Sequence, residues 1–235
     1  MHSERLASMG QLAAGVAHEI NNPLGVVIMY TNLLLEECSK DMEFRGDLQM
    51  IAEQANRCKR IVAGLLDFAR QNKVAHQSVD IRELVTATLS SLQRPENVEL
   101  EIVHDESDPM AELDRDQLIQ VLLNLVVNAC DAMPLGGTLT LRTKGDGAHV
   151  IFEVEDTGTG IPKENMKKLF EPFFTTKVMG KGTGLGLPVV YGIVKLHRGD
   201  ITVDSNADPS VGPTGSTFRV KLPREAQAHS GKGDQ

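Results

Sequence analysis

Several features that would place a chain in a familiar class are missing here. No stretch of about 18 consecutive apolar residues occurs and no signal-peptide layout opens the sequence, so the chain as it stands is expected to be soluble and cytoplasmic. That description also fits the cytoplasmic portion of a longer, membrane-attached protein. Basic runs are absent. The 24 Lys and Arg residues stand against 32 Asp and Glu for a formal charge of −8, which disfavours nucleic acid or an anionic membrane as a partner. There are three cysteines, Cys38, Cys58 and Cys130. They lie far apart in apolar, helical patterns and include no CxxC pair, so neither a disulfide frame nor a zinc site is implied. Internal repeats and low-complexity tracts are absent too. The 235 residues suffice for one large domain or two modest ones.

What is present falls into two halves with different rhythms. Apolar residues recur at Leu6, Met9, Ala13, Val16 and Ile20, then at Val27, Tyr30 and Leu34, keeping 3-4 spacing on both sides of Pro23. A second series runs through Leu48, Ile51, Ala55, Cys58, Val62, Leu65 and Ala69. The short break "ECSKDMEF" forces these two helices antiparallel, giving a hairpin over residues 1–75. Two helices bury little, and Ile61, Leu66 and Phe68 lie beside the seam, so a second copy completing a four-helix bundle is expected.

Beyond the polar linker "QNKVAHQS" the pattern changes. Asp80 and Glu83 resemble a capping box opening a helix to about Leu92, and "NVELEIVH" alternates as a strand. A long helix is expected from Asp114 to Met133, then strands in "TLTLRTK" and "HVIFEVE", a helix near 184–197, and strands in "DITVDS" and "STFRVKL". Helices with an antiparallel or mixed sheet give an α+β sandwich over 79–223, leaving 224–235 as a flexible tail.

Four segments of this second half suit phosphate and purine chemistry. In "NLVVNACDA", Asn124 and Asn128 are four residues apart and share a helical face, and neutral oxygen ligands suit a Mg²⁺ ion that stays hydrated and shared with phosphates. "EDTGTGIP" ends a strand at Asp156 and turns on Gly158 and Gly160, letting backbone approach a flat ring while the carboxylate accepts from an exocyclic amine. "GKGTGLGL" sets Gly180, Gly182, Gly184 and Gly186 just before an apolar helix, where bare N–H groups cradle anions. "LFEPFFTTK" carries three phenylalanines ahead of the cationic Lys177. Singly, each has a bland reading: solvated amides, an ordinary turn, a flexible linker, a core plug.

In order and spacing these segments resemble the N, G1, F and G2 boxes of sensor histidine kinases, whose catalytic domain has the GHKL ATPase fold. Upstream, "HEINNPL" is similar to that family's phosphoacceptor box, so the resemblance runs from about residue 3 to 223. It implies ATP binding by Asn124, Asn128, Asp156, Gly158, Gly160, Lys177, Gly182, Gly184, Leu185, Gly186 and Thr217, with Mg²⁺ at Asn128. It further implies a lid near 175–183, phosphorylation of His18, and transfer to the receiver domain of a response regulator. Related ATPases of the fold, DNA gyrase and the heat-shock chaperones, place a water-activating glutamate one turn before the metal-binding asparagine; this chain has Asn124 there. No P-loop lysine motif and no HRD or DFG set appears. A GHKL-type ATPase and a nucleotide-binding dimeric scaffold remain the competing classes.

The resemblance also explains why "HEINNPL" interrupts an apolar-striped helix. Glu19, beside His18, is placed to accept a ring N–H and fix the tautomer of a neutral imidazole. Asn22, one turn on, is placed to orient a water for dephosphorylation of the regulator. Pro23 cannot donate to the Glu19 carbonyl, so a bend below the acceptor is expected.

Overall fold

The computed structural model describes residues 2–37, 44–70, 74–90, 92, 95–104, 109–177 and 182–225, with backbone alone for 2–19, 57, 60, 61 and 63–70. In chain order the elements are α1 (His2–Glu37), α2 (Arg45–Arg70), β1 (Gln77–Asp80), α3 (Ile81–Ser90), β2 (Val98–His104), β3 (Met110–Leu113), α4 (Arg115–Ala132), β4 (Gly137–Gly145), β5 (His149–Asp156), α5 (Gly186–Leu196), β6 (Asp200–Asn206) and β7 (Gly215–Pro223). They fall into two compact units: Met1–Lys73 with Leu169–Val189, and Val74–Lys168 with Val190–Gln235.

In the first unit α1 and α2 pack along one another as the expected hairpin. The helix continues through Pro23, although that residue has no N–H to offer Glu19. The stripe turned inward differs from the sequence reading. Thr31 is buried, its hydroxyl donating to the Val27 carbonyl at 2.7 Å, and Asn21, Leu24, Ile28 and Leu35 share its spacing and are half-buried. Among the described side chains of α2 the buried ones are Ala52, Ala55 and Val62. Ile20, Val27, Tyr30 and Leu34, the stripe read from the sequence, are exposed, as are Met29, Leu33, Met50 and Ile51. Small residues let two helices approach closely while covering only a narrow strip, so the larger apolar side chains stay outside. The connection at 38–43 lies outside the described residues.

The second unit is built on a five-stranded mixed sheet of order β2-β4-β5-β7-β6, in which β2 and β4 run parallel and the other neighbours antiparallel. α4 packs against β4 and β5, and α3 packs against α4. Leu118, Val121, Leu122, Leu125 and Val126 of α4 are buried with Val150, Phe152 and Val154 of β5 and Phe218, Val220 and Leu222 of β7. The period of two along the strands and of 3.6 along the helix thus meet in one core. On the other face of the sheet the chain is charged. Arg142 pairs with Glu155, and Glu153 accepts from Arg219 at 2.6 Å and from Lys144 at 3.3 Å. Burial pushes the Glu153 carboxyl up, but the two cations outweigh it and hold the group below its ordinary value.

Caps set the helix limits. Asp114 closes the start of α4, its Oδ1 accepting from the Gln117 N–H at 3.1 Å, and Met133 closes the end, so the expected limits are the two caps. Asp80 accepts from the Arg82 and Glu83 N–H groups at 2.8 and 3.4 Å and caps α3, which ends at Ser90 rather than near Leu92. Two boundaries move. Gln77 and Ser78, read as linker, belong to β1, an edge strand paired antiparallel with β3. Arg224, read as the start of a flexible tail, is held: its Nε donates to the Asp146 carbonyl at 2.8 Å and its Nη1 to the Met110 carbonyl at 2.9 Å. A pairing of four residues, Gln77–Asp80 with Met110–Leu113, leaves a short pattern with only Val79 and Asp80 turned from solvent, too little to read as a strand.

Candidate functional site

Asp156 is the last residue of β5, on the face of the sheet that carries Val150, Phe152 and Val154. Strand alternation therefore sends its carboxylate inward, where it is 5% exposed. Its Oδ1 accepts from the Gly158 N–H at 2.9 Å. Burial pushes the carboxyl above its ordinary value; the Gly158 and Ser216 N–H groups pull the other way, and the charge on Glu155 adds to the rise. The group is a buried acceptor held by neutral backbone N–H groups, which suits a hydrogen bond to a neutral amine rather than an ion pair.

The loop after Asp156 is fixed by backbone contacts. Thr159 N–H donates to the Ala132 carbonyl at the end of α4 at 3.1 Å, and Ile161 N–H to Ser205 Oγ at 2.8 Å. Gly160 sits at φ 68°, and a Cβ there would stand 2.0 Å from the Asn206 carbonyl oxygen, so only glycine fits. Asn124 and Asn128 lie on the half-buried side of α4, one helical turn apart. The Asn124 amide donates to the Gln120 carbonyl at 2.9 Å, within its own helix. Among the described residues no group of three or more His, Cys, Asp or Glu is placed to hold a metal. A cation ligated mainly by water and phosphates, with one neutral amide, fits this donor set.

Thr217 is placed otherwise than expected. It pairs across the sheet with Glu155 and Asp204, on the charged face and opposite to Asp156. The residue aligned with Asp156 is Ser216, which is buried. Its Oγ lies 2.9 Å from Ser205 Oγ, so Ser205 and Ser216 tie the loop at Ile161 to the start of β7. Sequence reasoning missed both. The alternation in "STFRVKL", which turns Phe218, Val220 and Leu222 inward, also turns Ser216 inward and carried the signal.

Within the other unit, Gly182, Gly184 and Lys177 come together. A Cβ on Gly182 would meet Thr175 Oγ1 at 2.6 Å and the Lys177 side chain at 3.2 Å. Gly184, at φ 67°, lets its carbonyl accept from the Phe173 N–H at 2.9 Å, and Phe173 itself takes φ 67°. Leu185 is buried, and its N–H donates to Thr183 Oγ1 at 3.4 Å, so its side chain packs. Gly186 opens α5. Residues 178–181, within the expected lid, lie outside the described residues, as do the side chains of His18 and Glu19; Asn22 and Pro23 are exposed.

Comparison with known proteins finds two family matches: His Kinase A (phospho-acceptor) domain over residues 8–73, and Histidine kinase-, DNA gyrase B-, and HSP90-like ATPase over 113–226. Sensor kinase CckA of Brucella abortus is 41% identical over 94% of this chain and 25% of its own length. The mycobacterial sensor histidine kinase MprB matches with a TM-score of 0.56 and 31% identity over 64% of this chain and 99% of that one. Histidine kinase ThkA, solved in complex with the response regulator protein TrrA, matches with a TM-score of 0.66 and 26% identity over 94% of this chain and 64% of that one. The chain spans a quarter of CckA and 46% of the Escherichia coli sensor histidine kinase ZraS.

Asp156→Asn tests the buried carboxylate. An amide keeps one acceptor but removes the charge, so nucleotide affinity should fall about tenfold or more, the cost of losing a charge-assisted hydrogen bond. Because burial raises this group's folded value above 3.8, its ionised form costs stability as pH rises past that value, and the variant should unfold no lower than wild type at pH 7. Titration with a fluorescent ATP analogue and thermal unfolding read the two arms; unchanged affinity would remove Asp156 from the site.

Proposed function

The chain belongs to the sensor histidine kinases, and on that premise we propose that it uses ATP with Mg²⁺ to phosphorylate its own His18 and passes the phosphoryl group to an aspartate on a response regulator receiver domain. One observation carries this over an ATPase: the residue one turn before Asn128 is Asn124, whose amide is occupied with the Gln120 carbonyl. It offers no carboxylate to activate water, so the chemistry is left to an incoming side chain. An inert scaffold would have no need of the acceptor sequence "HEINNPL".

In this reading Asp156 accepts from the adenine amine, Gly158, Gly160 and Ser216 shape the pocket beside it, and Lys177 with the Gly182–Gly186 run meets the phosphates. Asn128 is the side chain that would hold Mg²⁺, which when bound neutralises phosphate charge during transfer. A neutral His18 ring nitrogen attacks the γ-phosphorus, the bond to the β–γ bridging oxygen breaks, and ADP leaves. Glu19 accepts the other ring N–H and stabilises the positive charge developing on the imidazole. Positioning does most of the work in such a transfer, so no strong base is needed. Phospho-His18 then passes its phosphoryl group to the regulator's aspartate, and Asn22 orients the water that hydrolyses that aspartyl phosphate, releasing inorganic phosphate and the free carboxylate. ThkA was solved with a response regulator, which supports this class of partner. The exposed apolar side chains of α1 and α2 support a homodimeric four-helix bundle. Among the described residues no helix is long and apolar enough to cross a membrane, in keeping with a cytoplasmic place for this part of the protein.

His18→Gln should abolish labelling by γ-labelled ATP while nucleotide affinity stays within about twofold, since acceptor and nucleotide lie on different segments. Equal label on the variant would refute the acceptor. Light scattering should report a dimeric mass at micromolar concentration, and a monomer there would dismiss the bundle. Asn22→Ala should spare labelling of His18 yet slow dephosphorylation of a cognate regulator about 10- to 100-fold, as for loss of one positioning contact. Equal losses in both time courses would make Asn22 a support for the helix only.

A further inference from the structure

Buried His197 and Asp114 meet the exposed segment Ala75–His76 in a knot that nucleotide binding leaves unused. His197 follows α5 and is 4% exposed. Its Nδ1 lies 2.9 Å from the Ile193 carbonyl oxygen, which can only accept, so the ring proton sits there. That leaves Nε2 as a lone-pair acceptor, and it takes the Asp114 backbone N–H at 3.1 Å. Burial holds the ring below its ordinary value and so favours this neutral form.

The Asp114 carboxylate is divided between two duties. Oδ1 caps α4 through the Gln117 N–H at 3.1 Å, while Oδ2 accepts the Ala75 N–H at 2.9 Å. The His76 ring stands edge-on to His197, with centroids 6.1 Å apart. The chain entering this unit after Lys73 is therefore fastened, within its first three residues, to the start of α4 and to the residue that follows α5. α4 carries Asn124 and Asn128, and α5 opens on Gly186. A cap alone needs one carboxylate oxygen; the second is spent on the incoming chain.

We propose that Asp114 and His197 are positioning residues for the phosphoryl transfer, anchoring the segment that follows the acceptor hairpin to the helices that bear the nucleotide groups. This rests on the kinase reading above. The anchor acts on delivery of the acceptor to ATP and leaves binding of ATP alone.

Asp114→Asn in the full chain separates the two duties, because an amide oxygen still caps α4 but the amide nitrogen cannot accept from Ala75. Ala75→Pro removes the donor from the other side and leaves Asp114 intact. Both variants are compared with wild type for nucleotide affinity, thermal unfolding and the rate of His18 labelling. Labelling should fall about tenfold, on the order of the loss for a misplaced reactant, with nucleotide affinity within about twofold of wild type and a cooperative unfolding transition. Wild-type labelling in both variants would overturn the proposal. So would parallel losses of affinity and labelling, which would make the knot a plain fold element. Should Asp114→Asn fail to fold, Ala75→Pro decides alone. A wild-type chain that takes no label fails the kinase reading and this proposal with it, whereas variants that label normally beside an active wild type fail the anchor only.

Discussion

The second unit is organised around one costly placement, the carboxylate of Asp156 at the inner end of β5. A buried charge is tolerated only when hydrogen-bonded, and here the bonds come from the Gly158 and Ser216 backbone N–H groups. That requirement reaches outward. The loop must curl back for Gly158 to donate, which sets Gly160 against the Asn206 carbonyl and Thr159 beneath the end of α4. It must also meet Ser205, whose hydroxyl joins Ser216 at the start of β7. A loop, two strand ends and a helix terminus thus take their positions from one acceptor. The same burial that makes the carboxylate expensive keeps water from competing with an amine hydrogen bond.

The sheet manages its two faces differently. Inward positions of β4, β5 and β7 are apolar and pack with α4, whereas the outward positions form a ladder of opposite charges. Glu153 lies between Lys144 and Arg219 and needs both, since one cation would leave half its lone pairs unanswered in a nearly buried place. A face closed by charge pairs resists adding another sheet or helix.

The hairpin follows the opposite logic. Among the described residues its fully buried side chains are small or modest, Thr31, Ala52, Ala55 and Val62, while many bulky ones, Tyr30 and Leu34 among them, are exposed. Stability is left to be completed by further burial, which makes the helices sensitive to whatever covers them.

Much of this was written in the chain. Capping residues, the 3-4 and alternating periods, and the glycine clusters fixed the helices and the principal strands, because each is a local backbone preference expressed within a few residues. The candidate site positions Lys177, Gly182 and Gly184, which the fold brings together, were singled out by the same short-range signals. The tertiary structure decided what depends on partners far along the chain. Which apolar stripe faces inward on α1 turned on the size of the α2 residues opposite. Whether Ser216 or Thr217 joins Asp156 turned on strand register, where a slip of one residue exchanges the two faces. β1 and the hold on Arg224 exist only through pairing with β3 and its neighbours, and the second duty of Asp114 exists only because Ala75, 39 positions away, folds back onto it. Local sequence states a residue's preferences; non-local contact alone supplies the atom that satisfies them.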